Sequence, residues 1–151
     1  MKKILTFILV LVPWFISGII FRSNSNFYQS LNLPSFAPPP IVFGIVWPIL
    51  YILISYSIYL IIKEYNLKEL KDYKLYLIIN YISNQLFTFF FFTLENLFLG
   101  FVDSVIVLLS SLFLYYETKS LNEKASKFLI PYIIWNIFAC ILSITIYFMN
   151  F

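Results

Sequence analysis

The sequence contains no histidine, a single cysteine and few charged residues. Without histidine the chain lacks the commonest metal ligand and the usual general base. No Ser–His, Cys–His or zinc-spaced constellation can be assembled, and the inventory argues against a hydrolase or a metalloenzyme. Cys140 alone forms no intrachain disulfide. Inside an apolar run it reads as a small buried hydrophobe, the alternative being a reactive thiol. Charged residues are 11% of the chain and hydrophobic residues 62%, where soluble domains carry about 25% and about 45–50%. A soluble domain of this length cannot hide that much apolar surface in one core. The surplus needs an apolar solvent, which makes the chain an integral membrane protein.

Five runs are long enough to span a bilayer: residues 4–21, 41–62, 75–94, 97–116 and 128–149. A hydrocarbon core of about 30 Å needs about 20 helical residues. Strand spans are half as long and alternate in polarity, which these runs do not. The expected fold is an all-α bundle of five transmembrane helices, one domain over residues 1–151, with no soluble module and no internal repeat. The N-terminal "MKKILTFILVLVPWFISG" starts basic like a signal peptide, but it has no small-x-small cleavage site and its apolar run continues to Phe21, as a retained span would. Of the ten Lys and Arg residues, all but Arg22 fall on the side of the N-terminus when the spans alternate. The positive-inside rule then puts the N-terminus in the cytoplasm, and the first loop and C-terminus outside. The net charge of +3 suits a face near anionic lipid and calls for no nucleic acid.

Between the first two spans lies a long outer loop, "RSNSNFYQSLNLPSFAPPP". Phe27, Tyr28, Leu31, Leu33 and Phe36 make it too apolar for a free linker, so it is expected to pack on the bundle mouth with a helical turn around Phe27–Leu31. Pro38, Pro39 and Pro40 fix its approach, the last seated in the first turn of span two. Pro48 lies inside that span and removes the bond to the Gly44 carbonyl, so a bend beside Trp47 is expected. Between spans three and four the turn is very short, and Asn96 is placed to cap the fourth helix.

Polar residues inside the spans are few. Asn80, Asn84 and Thr88 recur every four residues and form one stripe, either bonding helices together or pointing into a ligand cavity. Asp103 lies about 9 Å inside span four. It is either bonded against span three or a proton or cation site. The pair Gly100 and Ser104 offers a close helix contact. Trp47 and Trp135 lie well inside their spans, away from the interfaces tryptophan prefers. With Ser17, Gly18 and Ala139 they would suit a flat, apolar ligand, and packing alone would use the same residues.

The stretch "FYQSLNLPSFAPPPIVFGIVWPILYILISYSIYLIIKE", followed by "NYISNQLFTFFFFTLENLFLGFVD" and "LIPYIIWNIFACILS", resembles the signature of the TspO/translocator protein family, also called tryptophan-rich sensory or peripheral-type benzodiazepine receptor proteins, in its Gram-positive bacterial type. The resemblance covers nearly the whole chain. It implies a five-helix bundle in the cell membrane, often dimeric, whose first loop covers a pocket for porphyrins such as protoporphyrin IX and for isoquinoline carboxamide or benzodiazepine ligands. No cofactor is required; the porphyrin is the ligand. By motif position the pocket would use Ser17 and Gly18, Trp47, Asn84 and Gln85, and Trp135 and Ala139, with Phe27 and Pro38 from the loop. Trp47 and Asn84 would be polar anchors. The resemblance implies a receptor or sensor, with at most a photooxidative degradation of porphyrin in which Trp47 and Trp135 take part. The family's two loop tryptophans are Phe27 and Phe36 here, which removes two electron-rich indoles and keeps shape and stacking. A proton-coupled transporter using Asp103 is the alternative function.

Overall fold

A computed structural model describes residues 2–21 and 24–151. Arg22, the lone basic residue assigned to the outer side, lies outside the described residues.

The first span is built from α1 (Lys2–Leu11), a 3₁₀ turn (Val12–Phe15) and α2 (Ile16–Ile20). Pro13 explains the interruption: it has no N–H to give to the preceding turn, and its ring crowds that turn. Backbone groups freed in a membrane must find partners within the protein, and α5 (Lys71–Thr88) supplies them. The Tyr81 hydroxyl donates to the Pro13 carbonyl at 3.0 Å. The Gln85 amide donates to the Trp14 carbonyl at 3.3 Å and accepts from the Ser17 N–H at 2.7 Å.

The first loop carries α3 (Ser25–Ser30), capped by Asn24, whose side chain accepts from the Phe27 N–H at 3.1 Å. That cap starts the helical turn two residues before the position expected from Phe27–Leu31. From Leu31 the loop runs to Pro39, and α4 (Pro40–Glu64) begins with Pro40 in its first turn and continues unbroken through Pro48. α5 ends in a π turn, Phe89–Thr93, where the Leu94 N–H reaches back five residues to the Phe89 carbonyl at 2.9 Å. Glu95 then turns the chain with φ +50°. α6 (Leu97–Leu121) follows, with the Asn96 side chain accepting from the Leu99 N–H. A short α7 (Glu123–Lys127), capped by Asn122, leads into α8 (Ile130–Met149).

The described residues contain no strand and five helical spans long and apolar enough to cross a membrane. This is an all-α, five-helix membrane bundle. At the lysine-bearing end α4, α5 and α6 run past the apolar limits, because hydropathy marks the edge of the bilayer and nothing in those segments stops a helix. Contacts join the first span to α4 and α5, α5 to α6, α6 to α8 and α8 to α4, so the spans close a ring. Gly100 lies against the π turn: a Cβ built on it would stand 2.9 Å from the Phe91 ring. Gly100 of the small pair therefore serves contact within the chain, and Ser104 lies on the wall of the cavity described below.

Two apolar clusters fill the ring. One gathers Trp14, Tyr51, Ile54, Ile61, Leu114 and Tyr132 in the body of the bundle. The other gathers Tyr28, Phe91, Leu142 and Ile146 with Phe27, Leu31 and Leu33, so the first loop packs on the helix ends as a lid. One hydrogen bond braces the lid within itself, and one pair fastens it to the bundle. The Tyr28 hydroxyl donates to the Pro38 carbonyl at 3.0 Å. Asn150, past the end of α8, accepts from the Asn32 N–H at 2.8 Å and donates to the Asn32 carbonyl at 3.0 Å. Burial pushes the Tyr28 phenol above its ordinary range. The hydroxyl donor is therefore intact below the unfolded phenol value of about 10 and is lost only as pH rises through the raised folded value. Tyr28→Phe removes one hydrogen bond worth about 1 kcal/mol. Hydrogen exchange over residues 24–39 should speed up about fivefold in this variant, with the exchange of α6 unchanged.

Candidate functional site

Beneath the lid the ring encloses a cavity of about 330 Å³, within the range of small-molecule pockets. Its walls come from every span. α2 contributes Ser17 and Gly18, and α4 contributes Phe43, Gly44, Trp47 and Tyr51. α5 and its π turn add Asn84, Thr88 and Phe91, and α8 adds Trp135, Asn136 and Ala139. Tyr28 closes the top. The cavity reaches the backbone at two positions that have no side chain. A Cβ on Gly18 or Gly44 would meet no atom within 4 Å.

An aromatic chain lines the slot. Trp14 stacks on Tyr51 at 5.7 Å and Tyr51 lies 5.6 Å from Trp47. Trp47 meets Trp135 edge-on at 6.4 Å, and Trp135 meets Phe43 at 5.9 Å. All three tryptophans of the chain thus share one wall system. Trp14 is almost fully buried, at 2% exposure. The signal that marks Trp47 and Trp135, an indole far from the interfaces, applies equally to Trp14 in the middle of its span. Tyr51, Tyr132 and Asn136 carry no such mark, since helix periodicity does not say which face turns inward.

The polar stripe on α5 has a double use. The Tyr51 hydroxyl donates to Asn84 Oδ1 at 3.1 Å, and Asn84 Nδ2 donates to the Tyr132 hydroxyl at 3.2 Å. Tyr132 donates to Asn80 Oδ1 at 3.1 Å, and Asn80 Nδ2 reaches Ser110 Oγ and the Val107 carbonyl on α6. Asn80 is fully buried behind the wall and bonds helices. Asn84 and Thr88 reach the wall itself. Because an amide has two donor hydrogens and two acceptor lone pairs, Asn84 keeps one of each beyond its two tyrosine partners. Two more donors on the α8 side, Trp135 Nε1 and Asn136 Nδ2, are buried and have no protein acceptor.

Ser17, Gly18, Trp47, Asn84, Trp135 and Ala139 stand on the cavity wall. Gln85, Phe27 and Pro38 do not. Gln85 spends both ends of its amide on the backbone around Pro13. Phe27 packs edge-on against Phe91 at 5.9 Å, behind the wall. Pro38 supplies the carbonyl that holds Tyr28, and the loop residues that touch the cavity are Ser25 and Tyr28. Phe36 lies outside against Phe138 at 6.3 Å. Asp103 is buried, with one carboxyl oxygen lacking a partner, and is not on the wall.

A profile described as the TspO/MBR family matches residues 5–149. The chain belongs to the TspO/MBR family. Its full-length relatives include the tryptophan-rich protein TspO of Bacillus cereus, 36% identical with 99% of each chain covered. An uncharacterized membrane protein of Bacillus subtilis, YtaB, is 34% identical over 99% of each chain. The tryptophan-rich protein TspO of the archaeon Archaeoglobus fulgidus is 30% identical, with 98% of this chain and 97% of the relative covered. This TspO-family chain places each of its three indoles on the same cavity.

Proposed function

We propose that the protein is a membrane receptor or sensor that binds a flat, largely apolar tetrapyrrole such as protoporphyrin IX in the lidded cavity. Isoquinoline carboxamide and benzodiazepine ligands share that chemistry of a flat apolar body with carbonyl oxygens. One observation carries the reading: three indoles and two tyrosines line one slot, with the Asn84 amide on its wall to meet a ligand acceptor. Ring faces supply stacking area, and a porphyrin carboxylate supplies the acceptor. Family membership supports the same ligand class. The lysine distribution supports a cell-membrane orientation with the lid outside. Photooxidative breakdown is at most a side activity of the bound porphyrin, with Trp47 and Trp135 among the cavity-wall indoles that would serve as donors.

Titration of the purified protein with protoporphyrin IX should quench tryptophan emission saturably. With Trp47→Phe and Trp135→Phe the remaining emission is that of Trp14 on the same wall, and it should still be quenched, with Kd raised about tenfold by the lost stacking. Absence of saturation in wild type, or an unchanged Kd in the double variant, would sink the reading. Loss of the porphyrin absorbance band on illumination reads the side activity in the same cuvette. A second reading rests on Asp103, whose orphaned carboxyl oxygen is what a proton-coupled transporter would use. Uptake into proteoliposomes driven by a pH gradient and abolished in Asp103→Asn would favour it. Its place off the cavity wall favours the receptor.

A further inference from the structure

Trp135 has two sides. Its inner side lines the cavity. Its outer side lines a shallow apolar groove between α4 and α8, walled by Val46 and Leu50 on one helix and by Pro131, Ile134 and Phe138 on the other. Ile134 is 62% exposed at the rim, in a span that faces acyl chains. One indole ring therefore separates the cavity from the lipid. No hydrogen bond fixes that ring, because its N–H has no partner. It is held by apolar packing, with ring contacts at 5.9 Å from Phe43, 6.4 Å from Trp47 and 5.3 Å from Phe138.

The helices on either side are the loosely joined pair. α5–α6 and α6–α8 are in extensive contact, and α4–α8 in little. The opposite approach is covered by the first loop, which Tyr28–Pro38 braces internally and Asn32–Asn150 fastens to the end of α8. A flat apolar molecule partitions into acyl chains, since each buried methylene gains about 0.8 kcal/mol. It would meet the groove at high local concentration and the lid at low.

We propose that the α4/α8 groove is a lipid-facing entry site for the cavity's apolar ligand, and that the Trp135 side chain swings as its gate. The identity of the ligand rests on the tetrapyrrole reading above; the route rests on the shared wall. Entry through the groove also explains why Trp135 leaves its N–H free: a bonded indole would hold the gate shut until the bond broke. Once the ligand is inside, its acceptor completes the bond and locks the ring behind it.

Two arms test the route in lipid nanodiscs. In the first, protoporphyrin IX uptake is followed by porphyrin emission in stopped flow. Ile134→Trp fills the groove from outside, and a lid-locked protein carries Asn32→Cys and Asn150→Cys, oxidised, with Cys140→Ser. The plugged protein should associate and dissociate about tenfold more slowly with Kd within twofold of wild type, and the lid-locked protein should match wild type. Slow uptake in the lid-locked protein together with normal uptake in the plugged one overturns the route and leaves the ligand reading standing. No saturable uptake by wild type overturns both. The second arm needs no porphyrin and no groove variant. With Trp14→Phe and Trp47→Phe, the remaining Trp135 emission should be strongly quenched by phosphatidylcholine brominated on its acyl chains. Unquenched emission overturns the route on its own.

Discussion

Replacing Gly44 with leucine is expected to abolish tetrapyrrole binding and to leave the bundle folded. Gly44 lies on the cavity wall one turn before Trp47, and a Cβ there meets nothing within 4 Å. The leucine branch therefore enters the cavity instead of the protein. A slot of about 330 Å³ cannot hold that branch and a flat ligand lying across the same helix. The affinity should fall by at least about 100-fold, or about 2.7 kcal/mol. Stability should not fall with it, since replacing glycine inside a helix gains up to about 1 kcal/mol. Gly18→Leu attacks the facing wall from α2 and should behave alike, whereas Gly18→Ala fills less and should cost binding about tenfold or less. Porphyrin titration and thermal unfolding followed by circular dichroism, on the same preparations, check both halves. A Gly44→Leu protein that binds normally would place the ligand elsewhere.

The second large effect separates holding the bundle from holding a ligand. Asn80→Leu removes three buried hydrogen bonds and leaves the Tyr132 hydroxyl without its acceptor. Bonds between membrane helices contribute about 0.6 kcal/mol each, up to about 1.7, and an orphaned buried hydroxyl costs about 1–3 more. The sum is about 3 kcal/mol, seen as a drop of about 6–12 °C in the unfolding midpoint. Because Asn80 stands behind the wall, the ligand Kd of the folded protein should stay within about threefold. Asn84→Leu breaks the bonds to Tyr51 and Tyr132 and also changes the wall. It should lose about 2 kcal/mol of stability and about tenfold in affinity. Equal loss of affinity in both variants would mean that the polar stripe acts on the ligand only by holding the bundle.

The five spans, the capping by Asn96 and the seat of Pro40 were legible in the sequence because each follows from local chemistry. An apolar run of bilayer length, a side chain that caps its own helix and a ring that suits a first turn need no distant partner. Family membership was legible for a related reason: motifs in order along a chain are a one-dimensional signal. The misplaced residues have the opposite character. Gln85 was expected on the wall, and the break at Pro13 draws its amide to the backbone of another span. Phe27 and Tyr28 are adjacent aromatic residues that differ by one hydroxyl. The rotation of α3, set by its cap at Asn24, decides which of them covers the cavity. Trp14 could have been found by the argument that found Trp47 and Trp135.

What the sequence determined by itself is the membrane class, the number and order of the helices, and the family. These depend on composition, run length and local capping, all properties of contiguous residues. What only the tertiary structure decided is which side chains meet: the three indoles in one slot, the Asn80–Tyr132–Asn84 relay, and the sharing of Trp135 between the cavity and the α4/α8 groove. In a span that is apolar on every side the hydrophobic pattern names no inward face. The rotation of each helix is fixed by its neighbours through packing and hydrogen bonds, and those contacts join residues far apart in the chain.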